Sequence, residues 1–283
     1  MSDSFEFIYF DVSLLLYILP EKPITLPYKS YKIAKKFNLN IIKIGKQELV
    51  DEIKKKKVGK VPHLQTLMKK CRDKVELQKA LYIYGALKRL CVKYKLDGLT
   101  IKCFDLLDDY KSTACLALSL LNDEGITAGC EGDIPSLITM HFVNALTDRP
   151  SFMANPSKIS HENNTILLAH CTCPINMFSS YKINTHFESG IGLATEGEFN
   201  HTDVSLIKIS PDLKNVTAIR GEIKSDSHLK EYCRTQALVS VEPQELDMLF
   251  LHPFGNHIIM TYGDVIDPFL ALVNLYLMLY KGK

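Results

Sequence analysis

Short β-rich runs alternate with helical patterns through the first half of the chain, and this alternation limits the folds open to it. The predicted strands are residues 5–10, 41–44, 98–104 and 126–130. The predicted helices are residues 47–57, 75–94 and 113–122. In the longest of these helices, apolar side chains recur every three or four positions, as on one face of a helix. Because strands separated by helices favour parallel pairing, we predict a parallel α/β layer.

The second half of the chain has a different pattern. Short segments of alternating polarity at 192–198, 204–210, 216–223 and 237–242 are separated by turn residues, and no helix is predicted between about 181 and 267. This pattern is typical of an antiparallel β-sheet or small β-barrel. We therefore predict an α/β domain at 1–175, and a mainly antiparallel β domain with a C-terminal helix at 176–283.

The charge balance gives no reason to expect a nucleic-acid partner. The chain has 34 Lys and Arg against 32 Asp and Glu, a formal net charge of +2. The one basic cluster is centred on four lysines at 54–57, without interleaved aromatic residues. We interpret it as a solvated helix face rather than a phosphate-binding patch.

Cysteine usage and hydropathy favour a cytoplasmic protein without a membrane partner. None of the eight cysteines forms a C-x-x-C pair, and the C-x-C of Cys171 and Cys173 is a weak metal signal. Most of the cysteines are interpreted as small buried residues in a reducing compartment. The apolar run at 12–19 is too short to cross a bilayer, and the residues before 5–10 do not resemble a signal peptide.

Three potential metal ligands lie near the ends of predicted elements. Glu131 follows the strand at 126–130, His170 closes a predicted strand at 165–169, and His257 follows the apolar run at 248–251. Ligands bind beyond the carboxyl ends of strands in open parallel sheets, so Glu131 and the strand of His170 are predicted at such an edge. A carboxylate with two imidazoles suits Mn²⁺, Mg²⁺, Co²⁺ or Zn²⁺. Spacing alone leaves open that His170 is a core histidine and His257 a turn residue.

The order of several short motifs resembles the L-fucose isomerase and L-arabinose isomerase family over about two-thirds of the chain. The resembling segments are 86–89 (ALKR), 98–106 (GLTIKCFDL), 129–133 (GCEGD), 151–155 (SFMAN), 167–174 (LLAHCTCP) and 255–257 (GNH). Residues 185–190 (THFESG) and 233–236 (CRTQ) are similar to shorter, archaeal-type members. Each motif is weak alone, and together they are fairly specific.

The resemblance implies a metal-dependent aldose–ketose isomerase that acts through an ene-diol. It makes Glu131, His170 and His257 the metal ligands, with Mn²⁺ as the preferred ion. It also makes Glu131 a possible acid or base. The family has a second carboxylate after the Phe-Met motif, where this chain has Ala154 and Asn155. An amide can coordinate a metal but cannot accept a proton at neutral pH.

Other candidate residues have structural alternatives. Asp133 and Lys102 join Glu131 and Asn155 as catalytic candidates, although Asp133 is better suited to cap the next helix, and Lys102 is equally suited to form an ion pair with Asp105. His186, Glu188 and Arg234 are the substrate-binding candidates. The pair His186 and Glu188 would lie on one side of a strand and Arg234 in the barrel, so purely structural roles stay open.

Two hypotheses for function follow. The first is a sugar isomerase that uses a divalent metal and assembles as a homo-oligomer, as the resemblance implies. The alternative is a non-catalytic isomerase-like paralogue that binds sugar or metal, or acts as an oligomeric partner. The alternative is motivated by Asn155 and by the N-terminal portion, which is shorter than in the family, so the sugar pocket is expected to be reorganised or completed by another chain.

Overall fold

The computed structural model describes residues 15–19, 40–102, 105–210, 215–251 and 255–280. These residues form a mixed α/β fold in which a small parallel sheet with helices is joined to a closed antiparallel barrel. The strand predicted at 5–10 lies outside the described residues.

The parallel sheet contains four strands in the order β2-β1-β3-β4. They are β1 (Leu15–Leu19), β2 (Ile41–Gly45), β3 (Gly98–Ile101) and β4 (Thr127–Cys130). All three pairings are parallel. The predicted strands at 41–44, 98–104 and 126–130 correspond to β2, β3 and β4. Every residue of β3 and β4 is buried, although β4 is at the edge of the sheet, as expected for parallel strands covered by helices.

Six helices precede the barrel among the described residues, and the longer ones agree with the apolar periodicity of the sequence. They are α1 (Lys46–Lys54), α2 (Leu64–Lys70), α3 (Lys74–Tyr94), α4 (Asp105–Tyr110), α5 (Cys115–Asp123) and α6 (Ile134–Thr147). The longest helix, α3, starts where the Asp73 side chain accepts hydrogen bonds from the backbone N–H groups of Val75 and Glu76, both at 3.0 Å. The periodicity did not reveal the short helices α2 and α4.

The barrel has six strands in the closed order β10-β11-β6-β5-β12-β9. Its strands are β5 (Phe152–Ser160), β6 (Thr165–His170), β9 (Asp203–Ile209), β10 (Val216–Asp226), β11 (Thr235–Val241) and β12 (Ile258–Tyr262). A separate antiparallel pair is formed by β7 (Phe178–Asn184) and β8 (Ala194–Phe199). The closed barrel is the form of antiparallel structure that the second half of the sequence predicts.

Two expectations about this region are wrong. The strand that ends at His170 does not belong to the parallel sheet, because β6 pairs antiparallel with β5 and β11 inside the barrel. Strand pairing thus changes from parallel to antiparallel before Phe152. The predicted division into two domains at residue 176 stays a prediction. A helix also precedes residue 267: α7 (Pro243–Leu251) starts at a proline, which suits a first helical position. The predicted C-terminal helix is α8 (Ile266–Tyr280).

Helix α6 joins the two layers. It contacts β3 and β4 on one side and β9 and β12 of the barrel on the other. Its buried Ile138 and Val143 belong to one apolar cluster with Leu99 of the sheet and with Ile207 and Ile259 of the barrel. Burial of these side chains from both layers holds the N-terminus of α6 beside the barrel wall, where the candidate site lies.

Among the described residues, no helix combines the length and apolar character needed to cross a lipid bilayer.

A stability test of the helical layer uses Gly85, in the middle of α3. A helix interior usually gains stability when glycine becomes alanine. Here an added Cβ would overlap the backbone carbonyl oxygen of Lys57 and lie 2.9 Å from Val58 Cα. We expect Gly85→Ala to lower the free energy of unfolding by about 1–3 kcal/mol, measured by urea denaturation. Gly45→Ala is the control, because a Cβ there meets nothing within 4 Å; an equal loss in both variants would contradict the close packing.

Candidate metal centre

Glu131 lies in the turn between β4 and α6 with an unusual backbone conformation. Its φ is +58°, in the left-handed region, and Gly132 follows with a φ of +70°. A non-glycine residue in this region costs roughly 1–2 kcal/mol and is kept where the surroundings require it. The turn lets the chain leave the carboxyl end of a parallel strand and enter a helix within three residues. It places the Glu131 carboxylate beside two imidazoles from the barrel.

Asp133 both caps helix α6 and orients a histidine. Its Oδ1 accepts the backbone N–H of Ser136 at 2.9 Å, which is the predicted N-cap interaction. Its Oδ2 lies 2.9 Å from Nδ1 of His257 and 3.1 Å from Nζ of Lys208. The cap and the site role, alternatives in the sequence, are therefore combined in one carboxylate.

The charges around Asp133 keep it ionised. Burial raises the pKa of this carboxyl, but the hydrogen bond with His257 and the charge of Lys208 outweigh burial and hold the pKa below its usual range. Lys208 is only 3% exposed, and burial lowers the pKa of its ammonium group although Asp133 opposes that change. An ionised Asp133 can accept a proton in a hydrogen bond from Nδ1 of His257, so the lone pair of a neutral imidazole is then on Nε2.

His257 directs that second nitrogen at Glu131. Nε2 lies 3.3 Å from Oε2 of Glu131, is buried, and has no hydrogen-bond partner among the residues that the structure describes. Two lone pairs facing each other repel, unless a proton or a metal cation lies between them. In the absence of a cation, Asp133 and Glu131 overcome the effect of burial and raise the pKa of His257. A metal ion bound here would accept the lone pair of this buried nitrogen and the charge of the carboxylate opposite it.

His170 completes the cluster from the last residue of β6. Its Nδ1 lies 2.8 Å from the hydroxyl oxygen of Thr172, and its Nε2 lies 3.8 Å from Oε1 of Glu131. The ring centroids of His170 and His257 are 5.4 Å apart. One ligand atom from each of the three residues lies within 4.8 Å of the other two, so the cluster could hold a metal ion.

The donor set suits a divalent cation of the first transition row. His170 first, and then His257, hold the pKa of Glu131 well below its usual range, so the carboxylate is ionised at neutral pH. One carboxylate and two imidazoles favour such ions over Ca²⁺, which prefers oxygen ligands throughout. Three protein ligands also leave coordination positions for oxygen atoms of a small molecule.

A cavity of about 330 Å³ opens beside the cluster. Glu131 and His170 lie in its wall, and so do three further sequence candidates, Asn155, His186 and Glu188. The amide of Asn155 donates a hydrogen bond to the backbone oxygen of Asn256 at 3.3 Å, next to His257. The cavity therefore brings together five of the sequence candidates, from Glu131 to Glu188 in the chain.

Four sequence candidates lie outside this wall: Asp133, His257, Lys102 and Arg234. Lys102 follows β3 and is half-buried, and it does not line the cavity. Arg234 also does not line it, because its Nε donates to the Thr185 backbone oxygen at 2.8 Å and its Nη2 lies 3.2 Å from the Thr185 hydroxyl. Arg234 thereby fixes the segment that carries His186 and Glu188.

Some residues of the site were not identified from sequence. The cavity wall also contains Cys171 and Cys233, which the sequence motifs include, and six residues without a sequence prediction: Cys115, Cys130, Ser157, Phe187, Glu231 and Tyr232. Lys208, which supports Asp133, carried one usable signal: a lysine within the apolar run of residues 204–209 is expected to have a buried partner. Nothing in the sequence indicated that the hydroxyl of Thr172 contacts His170 or that Tyr232 lies in the cavity wall. Both depend on how distant parts of the chain come together.

The role of Asp133 can be tested by Asp133→Asn. One amide oxygen cannot serve both the helix cap and His257, so we expect Mn²⁺ affinity to fall about 10–100-fold, measured by calorimetric titration. The matched control is Asp73→Asn, which changes the N-cap of α3 in the same way but lies in another element. Equal Mn²⁺ affinity in the wild type and both variants would show that Asp133 does not orient His257.

Sequence comparison relates the chain to sugar isomerases. It is 25% identical over 191 residues to a sulfoquinovose isomerase of Clostridium sp. (strain MSTE9), which covers 64% of this chain and 42% of that protein. It is 26% identical over 117 residues to a sulfoquinovose isomerase of Alkalicoccus urumqiensis, covering 39% of this chain and 26% of that protein. No family model matches the chain. The matched region thus spans less than half the length of these curated relatives. The similarity is of low identity, and both relatives are sugar isomerases by name.

Proposed function

We propose that the protein is a metal-dependent aldose–ketose isomerase of the L-fucose and L-arabinose isomerase type. The observation that carries this proposal is the cluster of Glu131, His170 and His257, whose ligand atoms lie within 4.8 Å of one another beside a cavity. The similarity to sulfoquinovose isomerases supports a sugar as the substrate. The cavity volume of about 330 Å³ is in the range for a small-molecule site.

The proposed metal is a divalent cation, with Mn²⁺ first and Mg²⁺, Co²⁺ and Zn²⁺ as alternatives. Glu131, His170 and His257 would hold it, and the buried Nε2 of His257 without a hydrogen bond fits this role. When bound, such an ion would polarise oxygen atoms on adjacent carbons of a sugar and make the C–H bond next to the carbonyl group more acidic. Homo-oligomeric assembly is part of the proposal because the resemblance implies it.

Glu131 is assigned to metal binding rather than to proton transfer. A general base at neutral pH works best with a pKa near 7, whereas the two imidazoles lower the pKa of Glu131. Asn155 cannot take a proton either. Of the sequence candidates in the cavity wall, Glu188 is the remaining carboxylate. We assign to Glu188 the transfer of a proton between C1 and C2 of the sugar.

His186 is assigned to sugar binding. Its Nδ1 accepts the backbone N–H of Ser189 at 3.3 Å, so the neutral ring has its proton on Nε2. The ring lies in the wall of the cavity, where it can contact a bound sugar. The ring is 5% exposed and its Nδ1 also lies 2.9 Å from the Ser189 hydroxyl, so its position is set before a ligand binds.

The function is tested by incubating the protein with Mn²⁺ and a panel of aldoses, including sulfoquinovose, and measuring ketose formation. We expect one bound Mn²⁺ per chain and conversion that stops on metal chelation. Glu131→Gln is expected to weaken Mn²⁺ binding by more than the 10–100-fold typical of residues outside the ligand shell. Glu162→Gln, at an exposed turn, is the control. A folded protein that binds no divalent metal at saturation would overturn the proposal.

A second candidate function is a non-catalytic sugar-binding paralogue. It is favoured by Asn155, which lines the cavity in the place where the family resemblance implies an acidic residue. Binding of a sugar without ketose formation across the panel would support this alternative. Activity gained by Asn155→Asp would then identify the amide as the reason for inactivity.

The assignment of Glu188 makes a separable prediction. Glu188→Gln removes the proposed proton carrier and leaves the three metal ligands in place. We expect kcat to fall about 10²–10⁴-fold with Mn²⁺ affinity within a factor of about two. Steady-state kinetics and calorimetry on the same preparation measure the two quantities. Unchanged kcat in Glu188→Gln would remove this residue from the mechanism without affecting the metal centre.

A further inference from the structure

A long loop between β10 and β11 forms one side of the cavity. The loop spans residues 227–234, and its Glu231, Tyr232 and Cys233 lie in the cavity wall. Connections between two adjacent antiparallel strands usually have about two to five residues, so this one is longer than the turn requires. Because the loop contains neither helix nor strand, its position beside the cavity must come from side-chain contacts.

The buried side chain of Gln236 holds this loop at two places. Gln236 lies in β11 and is 2% exposed. Its Oε1 accepts the backbone N–H of Leu229 at 3.0 Å, and its Nε2 donates to the backbone oxygen of Leu229 at 2.7 Å. Nε2 also donates to the backbone oxygen of Cys233 at 3.0 Å. One amide group therefore fixes both ends of the segment that carries Glu231 and Tyr232.

A second contact holds the start of the loop. Nδ1 of His228 lies 3.2 Å from Oε1 of Glu196, a buried carboxylate of β8. Glu196 is itself fixed, because its Oε1 lies 2.8 Å from Nζ of Lys182 and its Oε2 accepts the amide N–H of Asn184 at 2.9 Å. The loop is thus attached to strands of two different sheets. A loop ordered before binding loses less conformational entropy when a ligand arrives.

The middle of the loop carries two side chains with the chemistry to bind a sugar. The carboxylate of Glu231 can accept hydrogen bonds from two hydroxyl groups, and the ring of Tyr232 has apolar faces and a polar hydroxyl. Glu231 is exposed and Tyr232 is half-buried. They share the cavity wall with His186 and Glu188, so a ligand in the cavity can meet both sides.

We propose that Glu231 and Tyr232 bind the hydroxyl groups of an uncharged sugar and that Gln236 is the positioning residue that holds them in the cavity. The identity of the ligand as a sugar rests on the proposed function. Gln236 does not line the cavity, so it acts through the loop. Among the described residues, the wall contains no lysine or arginine, so a phosphate or sulfonate group would find no such cationic partner there and would be repelled by Glu231.

The sugar contacts are tested by calorimetric titration of the full chain in saturating Mn²⁺. The probes are L-fucose, L-arabinose and D-glucose, with D-glucose 6-phosphate as the charged comparison. We expect an uncharged sugar to bind more tightly than the phosphate, and its Kd to rise about 10-fold in Glu231→Ala and in Tyr232→Ala. Glu162→Ala, at an exposed turn, is the matched control and should leave the Kd unchanged.

The positioning role is tested by Gln236→Leu, which removes all three hydrogen bonds to the loop. We expect amide hydrogen exchange across residues 227–233 to become faster, and the sugar Kd to rise about 10-fold. Mn²⁺ affinity should stay within a factor of about two, because the side-chain bonds of Gln236 go to the loop. Gln236→Glu keeps the bond from the Leu229 N–H and should lie between wild type and Gln236→Leu. Gln244→Leu, at an exposed position of α7, is the matched control.

The outcomes separate this proposal from the proposed function. An unchanged sugar Kd in Glu231→Ala and Tyr232→Ala overturns the contacts, and unchanged exchange across the loop in Gln236→Leu overturns the positioning role. Tighter binding of D-glucose 6-phosphate than of any uncharged probe overturns the ligand class. If the wild type binds Mn²⁺ but none of the three uncharged sugars, the sugar contacts fall and the metal centre stands. If it binds a sugar through the loop but no divalent metal, only the proposed function falls.

Discussion

The Asp133 carboxylate is the interaction on which the arrangement of the site depends. It accepts hydrogen bonds from the first turn of α6, from His257 next to β12, and from Lys208 in β9. A single charged group thus ties the helical layer to two strands of the barrel. Because Lys208 is buried, removing Asp133 would leave the charge of this lysine uncompensated, at a cost of about 3–5 kcal/mol.

The candidate metal centre lies at the junction of two kinds of β-structure. Glu131 comes from the carboxyl end of a parallel strand, where ligands are commonly bound. His170 and His257 come from antiparallel barrel strands or their immediate approaches. Neither layer alone contains the three ligands, so the site exists only because α6 packs between the sheet and the barrel.

In the proposed mechanism, metal binding and proton transfer belong to different residues. Two imidazoles lower the pKa of Glu131, which makes this carboxylate a weak base. Asn155, in the place of an expected acid, provides no proton carrier. The proposed proton carrier, Glu188, is an exposed carboxylate in the wall of the cavity that also contains Glu131 and His170.

Local pattern determined the elements, while long-range packing decided how they combine. The apolar period of α3 and the short runs at β2, β3 and β4 were sufficient to predict those elements, since helix and strand periodicity are local properties. Residue order and family resemblance pointed to Glu131, His170 and His257, but not to their distances. The sequence alone placed His170 in the wrong sheet and missed the dual contact of Asp133 and the support from Lys208. Strand pairing in a closed barrel joins residues far apart in the chain, and no local signal specifies those partners.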